Sequence, residues 1–333
     1  MEGGLRGLIV GKFYPPHAGH HHLIDRALAE VGELHVVIGD HPREYLPWSL
    51  RWAWLAEAHP TVQLHRIEDQ WGADSFAWAR ACLAEVGPID VVFTSEAYGE
   101  EFAGALGARH VAVDPLRLQV PISGTRMREN FGKYWHFLRA PARRWYCRRV
   151  VLVGAESTGK TTLARRLSER FAGYGAAWVP EYGREWCEQR VAGEPDPLAA
   201  LEAWVWKNED FVEIAAEQSR REEEGAACSP LLFGDTDALA TAVWAERYLG
   251  EERPELEAWQ PPPSRLRRLY LLAGSDAPFV QDGLRDGEGI RDWMQGRFEA
   301  LLRSRGEEFL VLRGNWAQRE QQAVEAVRGY LGR

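Results

Sequence analysis

Apolar and polar positions fall in blocks along this chain, and the short apolar blocks read as strands. Gly7-Leu8-Ile9-Val10 is the first, followed by a helix expected from about His20 to Glu30. Leu34 to Ile38 and Val62 to Ile67 predict a second and a third strand, Phe76 to Val86 a helix, and Asp90 to Thr94 and His110 to Val113 two more strands. The second half repeats the pattern with Val150-Val151-Leu152-Val153, Gly175 to Val179, Pro230 to Gly234, the end of Arg265 to Leu272, and Phe309 to Leu312. Between these lie helical segments opening at Thr162, polar and Trp-containing helices around Leu198 to Glu224, and helices at Ala238 to Leu249 and Ala317 to Leu331. Strands alternating with helices imply parallel sheets covered on both faces. The fold class is therefore α/β, and ligands in such sheets sit at the C-terminal ends of the strands.

A length of 333 residues suits about two domains. The stretch from Phe131 to Arg149, rich in arginine and aromatics and broken by Pro141, reads as the connector. The expected domains are 1–141 and 142–333.

The second domain opens on Gly154-Ala155-Glu156-Ser157-Thr158-Gly159-Lys160-Thr161, which fits G-x-x-x-x-G-K-[ST] between a strand and a helix. Backbone N–H groups of Gly154, Glu156, Ser157, Thr158, Gly159 and the helix start at Thr162 suit a phosphate. Lys160 reaches β- and γ-phosphates, and the Thr161 hydroxyl suits Mg²⁺. The chain is thus expected to bind ATP. Glu181 and Asp235 end apolar strands, where a base and a Walker-B-type metal ligand belong, and Asp237 suits either role or a ribose contact. The Gly- and Asp-rich segment Gly274 to Gly287 suggests a lid carrying Arg285, with Arg291 beyond it.

In the first domain, Gly11-Lys12-Phe13-Tyr14-Pro15-Pro16-His17-Ala18-Gly19-His20 follows the first strand. Imidazolium at His17 and His20 is expected to stabilise charge during attack at an α-phosphorus. Adjacent histidines on a helix face different ways, which disfavours a metal there. Ile122-Ser123-Gly124-Thr125-Arg126-Met127-Arg128 offers a capping Ser123 and arginines for polyphosphate.

These two segments resemble G-x-F-x-P-x-H-x-G-H and I-S-x-T-x-x-R of the nucleotidyltransferase superfamily, with the spacing of the small NMN adenylyltransferases. The resemblance implies ATP contacts from Gly11, Phe13, His17, His20, Ser123, Thr125 and Arg128. It implies an NMN pocket around Lys12, Trp48, Arg51 and Trp71, with Trp71 favoured as the stacking indole. In the second half, Glu181-Tyr182-Gly183-Arg184-Glu185, Asp235-Thr236-Asp237 and Asp282-Gly283-Leu284-Arg285 resemble the ribosylnicotinamide kinase half of the NadR family. That resemblance, covering nearly the whole chain, implies a Rossmann-like nucleotidyltransferase domain and a P-loop kinase domain. It implies that nicotinamide riboside is phosphorylated to NMN, and NMN adenylylated to NAD, with ATP and Mg²⁺. Riboside contacts are implied for Glu181, Tyr182, Arg184, Asp235 and Asp237. Which of Glu181, Asp235 and Asp237 is the base stays open. A P-loop domain serving as a nucleotide sensor, or as a kinase for another nucleoside, is the alternative.

Charge and composition narrow the partners. A formal net charge of −9 argues against a general nucleic-acid or anionic-membrane surface. Some family members carry an N-terminal helix-turn-helix; this chain starts at the first strand, so no DNA binding is expected. There is no apolar run of membrane-spanning length, and Cys82, Cys147, Cys187 and Cys228 form no C-x-x-C pair, which fits reduced thiols in cytoplasm. The expected partners are small molecules, and a homo-oligomer is compatible with the sequence.

Overall fold

A computed structural model describes residues 4–280 and 288–332. The chain divides into two compact units, Met1–Ala142 and Arg143–Arg333. The first runs β1 (Arg6–Gly11), α1 (Ala18–Leu28), β2 (Glu33–Asp40), α2 (Trp48–Ala58), β3 (Gln63–Glu68), α3 (Ser75–Val86), β4 (Val91–Thr94), α4 (Gly99–Leu106), β5 (Arg109–Ala112) and α5 (Gly124–Glu129). Its sheet has the order β3-β2-β1-β4-β5, and every pairing is parallel. Helices cover both faces, which is why β2 is buried from Leu34 to Gly39. Ile9, Val36 and Ile38 pack with Leu23 and Ile24 of α1, while Leu8, Val37 and Val92 meet Ala79 of α3 and Phe102 of α4.

The division falls within α6 (Ala140–Tyr146). Pro141 does not interrupt this helix, contrary to the expectation. It lies in the first turn, where a missing N–H removes no intrahelical bond. The second unit continues with β6 (Arg148–Val153), α7 (Lys160–Arg170), β7 (Ala176–Val179), α8 (Tyr182–Arg190), α9 (Pro197–Glu202), α10 (Asn208–Cys228), β8 (Leu231–Asp235), α11 (Ala238–Leu249), β9 (Leu269–Ala273), α12 (Arg291–Ser304), β10 (Glu308–Leu312) and α13 (Trp316–Leu331). The order β10-β9-β6-β8-β7, again all parallel, puts β6 and the loop after it at the centre. Val150 and Leu152 face Leu163, Leu167 and Val327, and Val151 and Val153 face Val243 and Phe298, as the two-residue period of a strand requires.

The helices α2, α4, α8 and α12 were not singled out by the sequence pattern. In α2 only Arg51 and Leu55 are buried, so the helix shows no apolar stripe. The stripe of α12 was legible, since Met294, Phe298 and Leu302 recur every fourth residue.

Candidate active sites

The first unit holds a cavity of about 370 Å³ at the C-terminal ends of β1 and β4 and the N-terminus of α1. His17 caps α1: its Nδ1 accepts from Gly19 N at 3.2 Å, and His20 Nδ1 accepts from His17 N at 3.3 Å. The two rings stack at 3.8 Å between centroids. With each Nδ1 an acceptor, each neutral ring carries its proton on Nε2. The His17 Nε2 is buried without a partner, a donor free for a ligand oxygen. Gly19 keeps the approach open, since a Cβ would lie 3.1 Å from the His17 ring.

The protein's own surroundings oppose the expected imidazolium form of the pair. Burial, then the charge of Arg117, lowers His17 to about 3, and burial with the neighbouring His17 pushes His20 down as well. The resting rings are neutral. Permanent positive charge comes from Lys12, Arg117 and Arg128 on the cavity wall. Arg128 donates to Tyr14 O at 2.7 Å and to Thr125 Oγ1 at 3.3 Å. Ser123 caps α5 through Arg126 N; Gly124 and Arg128 line the wall, and Ser123 and Thr125 do not. Arg126 turns away toward Pro121 O. Gly11 and Phe13 also line the cavity, with Phe13 4.9 Å from the His20 ring.

Arg117 escaped the sequence reading. Asp114 accepts backbone N–H groups of Leu118, Gln119 and Val120, and this turn brings Arg117 inward, where it bonds Ile122 O and Glu96. Among the proposed NMN residues, Lys12 is on the wall and bridges Asp69 at 3.0 Å and Glu44 at 3.5 Å. Trp48 and Arg51 are corrections. Trp48 lines a separate hollow with Trp52 and Arg66, whose guanidinium lies 4.7 Å over its ring. Arg51 is 0% exposed and ties Lys12 O at 2.6 Å, Gly39 O at 3.1 Å, Asp40 and Glu44. It holds the ends of β1 and β2 together. Trp71 is exposed and meets Trp78 edge-on at 5.5 Å, and it is Trp78 that lines the wall. The Trp78 indole fits there because Gly39 has no side chain; a Cβ would lie 3.2 Å from it.

The second unit holds a cavity of about 190 Å³ around the loop between β6 and α7. Gly154 (φ 139°) and Gly159 (φ 84°) have backbones that glycine suits, and a Cβ would meet Ala273 O at 2.7 Å and the Trp316 ring at 2.9 Å. Glu156, Ser157, Thr158, Gly159, Lys160, Thr161 and Thr162 line the wall, and Gly154 does not. Lys160 is buried, its Nζ parked on Ala155 O at 2.9 Å. Asp235 ends β8 in register with Leu152, beside the loop. It is 0% exposed, and the Thr161 hydroxyl approaches it without completing a hydrogen bond of good geometry. Glu181 stands at the end of β7 on the same wall. Burial raises both carboxyls and Lys160 pulls both down; the Asp235 charge raises Glu181 further.

An orphaned buried carboxylate beside a threonine hydroxyl fits Mg²⁺, which takes few protein ligands and completes its shell with phosphates and water. Among the described residues no cluster of three or more His, Cys, Asp or Glu competes for it.

Three further expectations change here. Tyr182 is buried against α10, its N–H on Gln218 and its ring under Arg221 at 4.5 Å, off the wall that Arg184 lines. Asp237 is buried as the cap of α11, bonded to Ala240 N, Tyr270 Oη and Gln260 Nε2. Arg291 donates to Ala277 O rather than reaching the cavity. Arg285 and the rest of Asp282-Gly283-Leu284-Arg285 lie outside the described residues. The sequence reading also missed an aromatic wall. Trp206 stacks on Tyr248 at 4.6 Å and on Phe211 at 5.0 Å, and all three face the cavity with Trp244.

Backbone strain marks both places. Among the described residues, the non-glycine positions with left-handed φ are Phe13, Asp114, Arg117, Ser157 and Thr236, and each lines one of these cavities.

Residues 149–319 match the family model described as AAA domain. The trifunctional NAD biosynthesis/regulator protein NadR of Escherichia coli K12 is 29% identical over 98% of this chain and 83% of its own length. The protein of the same name from Salmonella typhimurium LT2 is 28% identical with the same coverage. A crystal structure of NadR with NR superposes with a TM-score of 0.69 at 23% identity, covering 100% of this chain and 98% of that one. One with NAD and AMP-PNP gives 0.71 at 21% identity, covering 99% and 97%. At these identities the superpositions establish the fold.

Proposed function

The chain belongs to the AAA-domain family through residues 149–319, and on that premise we propose that it is a bifunctional enzyme of NAD biosynthesis. The first unit is the NMN adenylyltransferase and the second the ribosylnicotinamide kinase. The observation that carries the reading is the pair of separate phosphate cavities, each in its own unit and each facing a tryptophan. The curated relatives over nearly the whole chain support both activities.

In the first unit the NMN phosphate oxygen attacks the α-phosphorus of ATP, the new P–O bond forms, and pyrophosphate leaves with the electron pair of the broken bond. No side chain needs to act as nucleophile; orientation and charge stabilisation suffice. The Nε2–H groups of His17 and His20 and the guanidiniums of Arg117 and Arg128 are placed to receive the phosphates. Trp78 is our choice for the pyridinium, since an indole face attracts a flat cation.

In the second unit the riboside hydroxyl attacks the γ-phosphorus of ATP and ADP leaves. Glu181 takes the hydroxyl proton, because its raised pKa gives it affinity for a proton near neutrality. Mg²⁺ held by Thr161 and Asp235 would neutralise phosphate charge. Lys160 leaves Ala155 O for the phosphates, and the nicotinamide ring lies against Trp206 and Tyr248. The test is nicotinamide riboside with ATP and Mg²⁺, followed by chromatography. NMN appearing before NAD is expected. Conversion of added NMN without consumption of riboside would remove the kinase half.

A further inference from the structure

We propose that Asp237 is a positioning residue that holds Thr236 in its strained backbone and thereby aims the Asp235 carboxylate at the nucleotide. The proposal rests on the kinase reading above. Both Asp235 oxygens are buried and neither makes a hydrogen bond of good geometry. A side chain without bonds of its own is aimed by its backbone. On one side that backbone is the β8 ladder, with Asp235 opposite Leu152 of β6. On the other side is Thr236, at φ 76°.

A β-branched residue in this region is an outlier, and it persists only where its surroundings over-determine it. Two clamps do so. Before the bend, Thr236 N donates to Leu152 O at 2.9 Å. After it, the 0% exposed Asp237 carboxylate accepts from Ala240 N at 3.0 Å, Gln260 Nε2 at 2.9 Å and Tyr270 Oη at 2.7 Å. Tyr270 stands on β9, on the far side of β6 from β8, so the clamp spans the centre of the sheet. The Asp237 carbonyl is held as well, accepting from Thr241 N and Oγ1. Both Thr236 and Thr241 line the cavity. Without the carboxylate, Thr236 is free to relax to negative φ and turn Asp235 off Mg²⁺ and the phosphates.

Glycine separates this role from plain stability, because it adopts the same φ without strain. Steady-state kinetics of Asp237→Asn, Thr236→Gly and the double variant, in the full chain, are compared with wild type. Asparagine places an N–H against donors, so Asp237→Asn is expected to lower kcat for riboside phosphorylation by about tenfold or more. Adding Thr236→Gly is expected to restore kcat to within about threefold of Thr236→Gly alone. Tyr270→Phe, a milder lesion, should show a smaller loss with the same rescue. A kcat of Asp237→Asn within about twofold of wild type, or a loss that glycine does not rescue in either background, overturns the proposal. Wild-type silence toward riboside would instead overturn the kinase reading. The Mg²⁺-dependent part of ATP binding, by calorimetry, then reads the aim of Asp235: it must fall in Asp237→Asn and return in the double variant.

Discussion

His17 and His20 face their cavity uncharged because burial and the arginine beside them oppose protonation. Unfolding releases His17 to its ordinary value of 6.5 from about 3, so between these values the unfolded chain binds more protons and stability rises with pH. The thermal midpoint is expected to climb between pH 4 and pH 7, and His17→Asn, which keeps a capping acceptor, should flatten that slope. Bound triphosphate reverses the electrostatics around the rings. ATP binding near pH 6 should therefore take up protons, seen as a dependence of calorimetric heat on buffer ionisation enthalpy. In the second unit the sign follows a carboxyl. Glu181 is raised from 4.5, so riboside phosphorylation should fail on acidification well above the range of an ordinary glutamate. Glu181→Gln should lower kcat about 100-fold or more. Lys160→Ala should abolish phosphorylation and leave adenylyl transfer intact, since the two residue sets share no side chain.

Elements carry these residues into place, and caps decide how firmly. Asp74 accepts from Phe76 N and Ala77 N at the start of α3, the helix that bears Trp78. Asp74→Ala should cost about 1 kcal/mol and raise KM for NMN more than KM for ATP. The phosphate loop was legible in sequence because its partners are contiguous: strand, glycines, lysine and helix follow in one run from Val150 to Leu167. The aromatic wall was not. Trp206 precedes α10 and Tyr248 ends α11, and only the packing of those helices brings the rings to 4.6 Å. Trp206→Ala should raise KM for riboside about tenfold with KM for ATP nearly unchanged. Asp237 shows the opposite failure. A carboxylate next to a helix reads equally as ligand or cap, and only its burial on Tyr270 decides for the cap. Arg51 was misread for a similar reason, since sequence does not tell a guanidinium that meets a ligand from one that ties two strand ends.

At the scale of the molecule, two parallel sheets of five strands each carry their own core and their own cavity. The alternation of strands and helices was enough to predict parallel sheets, because buried parallel strands leave long apolar runs. Ligand stabilisation should be local to each unit. NMN is expected to raise the midpoint reported by hydrogen exchange of β1 and β2, and riboside with ATP that of β6 and β8. A riboside that protected β1 while leaving β6 unchanged would reverse the assignment of the cavities. The left-handed residues at the two cavities also forecast how this chain would respond to selection for heat resistance. Phe13, Asp114, Arg117, Ser157 and Thr236 are places where a glycine or a relaxed loop would be rewarded with stability. They are also the places where the walls are shaped. Thermostable descendants should therefore gather their substitutions elsewhere, and any that settle on these five should arrive as slower enzymes.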